Sequence, residues 1–350
     1  MTTVSEPGRS ESPTFDFTDP ELRSNPWPTY HKMRSECPVY RGDSAWWLFA
    51  YDDCQHVLRS PSFGRVQDTF RELYGLSLGE GPALDYVVTR LTYLDREDHA
   101  RIRGAFAKSF SPRRIEALRP FIEGLVDQLL APIDASQPFD VLEALAHPLP
   151  SLVICELLSV PESDRQLFDG WTQRIAHLIS PAVTAEQRQD ATAALAEEWE
   201  MMEALVEERT ANPGDDLLSA LIQSQNVSGT DPAMSRHELI SNTIFLFSAG
   251  HQTTRDSVGS GLVAMLENRE QYAKLAADPS RAEAAAEETP RFDPPVLQSW
   301  EIALEDTEIS GVPIAAGDAV NPLLAAANRD PAHFDNPDVF DIDRADTFST

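Results

Sequence analysis

Apolar residues recur with a helical period along most of the chain, and only two stretches alternate as strands require. From Arg90 to about Ser159 the helical period holds, with breaks at Pro112, Pro120 and Pro148. A second helical stretch, TAEQRQDATAALAEEWEMMEALVEERTANPG, stops at Asn212, Pro213 and Gly214. A third begins at Ser235, where SRHE supplies an N-cap serine and, three residues on, Glu238, the pattern of a capping box. Its helical character runs to about Arg269, a length of about 50 Å at 1.5 Å per residue. The strand-like stretches lie toward the two ends. NPWPTYHKMRSECPVYRGDSAWWLFAYDDCQHVLRS predicts a short helix, two strands holding Trp46 and Trp47, and another helix. WEIALEDTEISGVPIAAGDAV alternates around turns at Ser310-Gly311 and Ala316-Gly317. The pattern predicts a mainly α protein with a minor β-sheet region.

No repeat and no linker interrupts this pattern, so a single domain is expected over residues 15–350, after a disordered tail at 1–14 whose opening MTTVSEPGRSESPTF is polar and lacks an apolar signal core. The formal net charge of −29 argues against nucleic acid or an anionic membrane as the main partner. No run is long and apolar enough to span a bilayer. The three cysteines, Cys37, Cys54 and Cys155, are odd in number, far apart and without a CxxC, which argues against a disulfide framework or zinc site and fits a reducing cytoplasm.

Candidate chemistry sits inside the long helix. After the nearly all-apolar run Thr243 to Phe247 come Ala249, Gly250, His251, Gln252, Thr253 and Thr254. Small and polar residues in a buried helix are costly unless they have a role. Gly250 permits close approach of another body. The Thr253 hydroxyl can bond back to a carbonyl and distort the helix, or hold water beside a ligand. From this segment alone, a ligand site and a plain helix crossing explain the pattern equally well.

The motif AGHQTT on a long capped helix resembles the oxygen-side helix of the cytochrome P450 haem-thiolate monooxygenases, above all the soluble bacterial ones. Three further segments extend the resemblance from about residue 15 to the end. In LTYLDREDHARIRGAFAKSFSPRRIEALRP, His99 and Arg103 match a pair that binds a haem propionate; side chains at i and i+4 share a helix face and both can donate to a carboxylate. Glu288 and Arg291 match the family's ExxR pair, which ties the core to the following loop. ALEDTEISGVPIAAGDAVNPLLAAANRDPAHFDNPDVFDIDR matches the family pattern closely, including the run Asn328, Arg329, Asp330, Pro331.

The resemblance implies a P450-type fold holding haem, and monooxygenation of a small, fairly apolar molecule, such as a secondary metabolite. Thr253 matches the catalytic hydroxyl that relays protons. Gln252 stands where an acid is common; its amide can hold water but cannot ionise. Ala249 and Gly250 would adjoin the cofactor. Phe245, Ala249 and the segment from Phe63 to Val88 would line the substrate pocket. Glu301 stands where a second propionate-binding arginine is common, and Pro290 falls inside ExxR. Electrons would come from a ferredoxin docked near the basic segment holding Arg101, Arg103, Lys108, Arg113, Arg114 and Arg119, where only Glu116 opposes the positive charge. The glycine-rich loop with the iron-ligating cysteine should follow FDIDR. The chain as read stops at Thr350 without it, so the expectation is a fold incomplete at its C-terminus, with no axial cysteine, inactive in this shortened form. Haem-free relatives that bind and activate a glycosyltransferase supply the alternative function.

Overall fold

The computed structural model describes residues 14–17, 19–110, 112–134, 136–180, 183–226 and 234–344. Except for residue 14, the expected N-terminal tail lies outside these residues, as does the end of the chain from 345 to 350. The chain divides into two compact units: Met1–Gly64 with Ala264–Thr350, and Arg65–Val263. Among the described residues no helix is long and apolar enough to cross a membrane.

The first unit holds both sheets. β1 (Val39–Arg41), β2 (Trp46–Leu48), β3 (Phe63–Gly64), β4 (Glu301–Ala303) and β7 (Ala319–Pro322) form one sheet in the order β1-β2-β7-β4-β3. β2 and β7 run parallel, Trp46 opposite Val320; the other pairs are antiparallel. β5 (Thr307–Ile309) and β6 (Val312–Ile314) make a separate ribbon. Its two-residue turn has positive φ at Ser310 (47°) and Gly311 (81°), the geometry that suits the twist of a tight hairpin. Ser310 tolerates this conformation while its Oγ donates to Asp53 at 2.5 Å. The sheet buries Leu48, Phe63, Val320 and Phe334, and a second cluster gathers Phe15, Tyr30 and Phe49 with Trp47 packed against them.

The helix Ala282–Phe292 carries a charge pair with no exposed surface on either side chain. Arg291 donates Nε to Glu288 Oε2 at 2.6 Å and Nη2 to Oε1 at 2.7 Å. It also donates to the carbonyls of Asn328 and Pro337, both at 2.9 Å, and Val339 at 3.2 Å, while Glu288 accepts the Asp341 N–H at 2.9 Å. Arg329 donates twice to the Phe292 carbonyl, 2.7 and 3.1 Å away, and lies over the Trp27 ring with 3.4 Å from Cζ to centroid. Burial brings its guanidinium down to about 10. Pro290 sits within the helix, which ends two residues later, and Asn328 Nδ2 donates to its carbonyl at 3.2 Å. The missing proline N–H thus costs at most one bond near the helix end. Glu301 is buried in β4, where Oε1 accepts the Ser299 hydroxyl at 3.1 Å.

The second unit is helical. Pro112, Pro120 and Pro148 each fall in the first turn of a helix, Pro112–Ala117, Arg119–Leu130 and Pro148–Leu157, where no N–H is needed. Thr184 and Gln187 close a capping box at the start of Ala185–Ala211. Ser235 and Glu238 do the same for the long helix Arg236–Glu267: the Ser235 N–H donates to Glu238 Oε2 at 2.7 Å and the Glu238 N–H to Ser235 Oγ at 3.2 Å. Ile240, Ile244 and Phe247 present one face of that helix to a core shared with Phe168, Trp171, Leu195 and Met202.

Glu198 is 1% exposed, and its Oε1 has no hydrogen-bond partner. Burial drives its carboxyl well above the usual range, so the fold favours the protonated form.

Two stability outcomes follow. Arg291→Met takes the bidentate partner from buried Glu288 and leaves it only the longer contact with Arg344, 3.4 Å away, so it should cost about 3 kcal/mol in urea unfolding; a loss below about 1 kcal/mol would remove this pair from the fold's supports. Glu198→Gln should gain about 1–3 kcal/mol at pH 8, where folding otherwise requires burying a charge or keeping a proton. The gain should vanish below the unfolded carboxyl value near 4.5, where both states are protonated. Equal melting curves at pH 8 would contradict it.

Candidate functional site

The long helix runs unbroken from Arg236 to Glu267. Thr253 Oγ1 donates to the Ala249 carbonyl one turn back at 2.7 Å, which satisfies the hydroxyl inside the helix. Gly250 serves a helix crossing: a Cβ there would stand 2.9 Å from Ile154 Cδ1 on the Pro148–Leu157 helix. The structure therefore gives Gly250 a packing contact, where the resemblance implied one with the cofactor. Gln252 is half-buried and its side chain makes no hydrogen bond among the described residues.

Phe245 and Leu246 stand three and four residues after Asn242, Ala249 four and three after these, and Thr253 four after Ala249, so the five form one stripe of the helix. The first four line an open cavity of about 260 Å³, bounded elsewhere by Leu91, Arg103, Phe106, Ala107 and Phe110. The wall is apolar apart from Arg103 and Asn242. The Asn242 amide is fully occupied: it accepts the Leu91 N–H at 2.7 Å and donates to the carbonyls of Thr89 at 3.0 Å and Glu238 at 2.9 Å. It thereby holds the Leu91–Tyr93 turn against the helix. Sequence reasoning missed Asn242, although one amide in a run of apolar residues was a signal. Phe106 and Phe110 carry no such signal; only packing reveals their role. No residue from Phe63 to Val88 lines this cavity. Phe63 belongs to the sheet core of the first unit, Tyr86 and Val87 are fully buried in the helical core, and Val88 is also fully buried.

His99 and Arg103 lie one turn apart on the helix Arg96–Ser109. Neither side chain has a hydrogen bond or ion pair among the described residues. Burial holds the His99 imidazole below its ordinary value, and the charges of Arg103 and Arg65 push it in the same direction. The Arg103 guanidinium, which lacks an acid, and the adjacent imidazole, which can donate while neutral, form a natural seat for a carboxylate.

The basic segment is less bare than its sequence suggests. Arg101 pairs with Asp98 at 2.6 Å and Glu238 at 2.7 Å, Arg114 with Asp215 at 3.5 Å, and Arg119 with Glu116 at 2.8 Å. Glu116 is thus not the only opposing acid, since folding brings in distant ones. Arg103, Lys108 and Arg113 are exposed, with no ion pair among the described residues.

Glu288, Arg291, Asn328 and Arg329 come together in the first unit as the buried network described above. The cysteines are packing residues. Burial raises the thiols of Cys37 and Cys54 and pushes Cys155 up to about 12, so none is a thiolate at neutral pH.

Comparison with known proteins places these features in context. The family described as Cytochrome P450 matches residues 88–347. The chain is 35% identical over 334 residues to cytochrome P450 monooxygenase PikC of Streptomyces venezuelae, covering 93% of this chain and 76% of that one. It is 31% identical over 338 residues to the polyketide biosynthesis cytochrome P450 PksS of Bacillus subtilis (strain 168), covering 93% and 81%. Among solved structures, the crystal structure of CalO2 superposes with a TM-score of 0.89 at 32% identity, over 96% of this chain and 84% of that one.

Removing the Arg103 charge should raise the His99 titration midpoint toward its ordinary value without reaching it, because burial persists. NMR titration of the His99 ring in Arg103→Gln measures this; an unmoved midpoint would show that the two groups do not share one electrostatic site.

Proposed function

The chain belongs to the cytochrome P450 family, and we propose that it is a haem-dependent monooxygenase acting on a small, largely apolar molecule of the polyketide class. The observation that carries the reading is the apolar cavity under the Asn242–Ala249 stripe, with Arg103 in its wall and Thr253 one turn further along the helix. The polyketide class is taken from the name of the relative PksS.

The side chains present fit the propionate side of haem, while the three cysteines are protonated packing residues and supply no iron ligand. A propionate requires donors not already claimed by an acid, and the Arg103 guanidinium with the neighbouring His99 imidazole meets that condition. Ala249 contributes a small side chain to the wall beside them. When bound, haem supplies the activation of dioxygen, with two electrons from a redox partner.

The chain's own groups supply positioning and protons. The Thr253 hydroxyl donates to the Ala249 carbonyl, which leaves its oxygen lone pairs to accept from water. A proton taken there can pass onward as the hydroxyl rotates. The neighbouring Gln252 amide can hold that water but cannot ionise, so it orients rather than titrates. The apolar wall formed by Leu91, Phe106, Phe110 and Phe245 excludes other water. Lys108 and Arg113, exposed and without acid partners among the described residues, suit the approach of an acidic ferredoxin. No observation favours the haem-free auxiliary reading or a glycosyltransferase partner.

The haem-loaded protein, in a chain completed with a cysteine-ligand loop and supplied with a ferredoxin, its reductase, NAD(P)H and a panel of polyketides, should yield a product one oxygen atom heavier. Thr253→Ala should lower product formation by about 100-fold or more, the scale of a lost proton-transfer group, while NAD(P)H consumption continues. Unchanged product per NAD(P)H would remove Thr253 from the reaction.

A further inference from the structure

On the far side of the long helix from the cavity stripe, three metal-ligating side chains converge from three elements of the second unit. His147 precedes the Pro148–Leu157 helix, Asp169 lies on the helix Arg165–Ile175, and His251 lies in the middle of the long helix. His251 Nε2 stands 3.4 Å from Asp169 Oδ1, and His147 Nε2 stands 3.6 Å from the same oxygen. One ligand atom from each of the three residues lies within 4.8 Å of the other two. We propose that His147, Asp169 and His251 form a binding site for a first-row divalent cation, with zinc as its best-matched occupant.

The distances support this. In a tetrahedral zinc site with bonds of about 2.0–2.1 Å, neighbouring ligand atoms stand about 3.3–3.4 Å apart. Both histidine–aspartate separations fall close to that spacing, and the two imidazole nitrogens, within 4.8 Å of each other, would close on the ion. The donor chemistry agrees. Asp169 Oδ1 is buried and accepts no hydrogen bond, although it lies between two imidazoles. His251 is fully buried and its Nδ1 also lacks a partner. Two histidines and one carboxylate form a set suited to zinc, and a buried carboxylate oxygen with no donor invites a cation.

An ordinary core histidine is the competing explanation. His251 Nε2 does lie 3.3 Å from the His147 carbonyl, but that is long for an N–H···O bond and leaves Asp169 Oδ1 unsatisfied. A fourth ligand is within reach. Gln173, one turn after Asp169, places its amide 2.9 Å from His147 Nε2, and exchange of its N and O by rotation would turn a carbonyl oxygen toward the site. His147 also lines an open cavity of about 940 Å³ with Leu142 and Arg255, which provides a path from solvent. An ion held here would tie together three helices that meet beside Thr253, without touching the oxygen-side stripe.

The test is zinc binding by the full chain, measured by equilibrium dialysis with elemental analysis and by thermal melting. Wild type should retain one zinc ion that raises the melting temperature, since a ligand held by the fold stabilises it. Loss of an outer-shell partner alone costs about 10–100-fold in affinity, so His147→Gln and Asp169→Asn should each cost at least that and abolish the melting shift. Asp169→Asn is isosteric and His147 is partly exposed; circular dichroism identifies any variant that misfolds, leaving the other to decide. Failure of wild type to retain zinc, or retention and a melting shift unchanged in a folded variant, would overturn the proposal.

Discussion

The backbone of the long helix from Arg236 to Glu267 is the constraint on which the second unit depends. Every peptide group in its middle must keep its helical partner, because a broken bond in a buried segment leaves an unsatisfied N–H or C=O. The polar residues at its centre respect that rule. Thr253 bonds to a carbonyl already within the helix, and the Asn242 amide bonds across to neighbouring backbone groups without displacing any helical bond. With 3.6 residues per turn, the intact helix then separates its functions by face. Asn242, Phe245, Ala249 and Thr253 share the cavity stripe; Ile240, Ile244 and Phe247 face the core; His251 turns to His147 and Asp169. A one-residue slip would move each group to the wrong neighbour.

The first unit depends on a different kind of restraint. Glu288 and Arg291 bury two charges, which is favourable only when nearly all their donors and acceptors are used. They meet that demand by reaching residues 328, 337, 339 and 341, so the loop is held by the same bonds that satisfy the charges. Arg329 uses stacking as well as hydrogen bonds, its planar guanidinium lying over Trp27 while it donates to the Phe292 carbonyl. Pro290 survives in this setting because the helix ends two residues later.

Much of this was legible in the sequence for local reasons. Capping boxes are written within four residues, so both Thr184–Gln187 and Ser235–Glu238 could be read directly. Helix-opening prolines and the positive-φ turn at Ser310-Gly311 are equally local. The His99–Arg103 spacing identified a shared helix face before any fold was known. The cavity wall was less legible. Phe106 and Phe110 resemble any core phenylalanines, and residues Tyr86 to Val88 turned inward to the core instead of lining the cavity.

The sequence by itself determined the helices, the turns, the stripe that ends at Thr253 and the family resemblance, because each rests on residues close together along the chain. Tertiary structure decided which charges remain available and which polar groups meet. Asp98, Glu238 and Asp215 neutralise much of the basic segment, two of them from more than one hundred residues away. Gly250 belongs to a helix crossing because Ile154 occupies the space beside it. His147, Asp169 and His251 are separated by 22 and 82 positions along the chain, and no periodicity connects them. Coulomb forces and close packing act through space over a few ångströms, so their outcome becomes readable only when folding sets the neighbours.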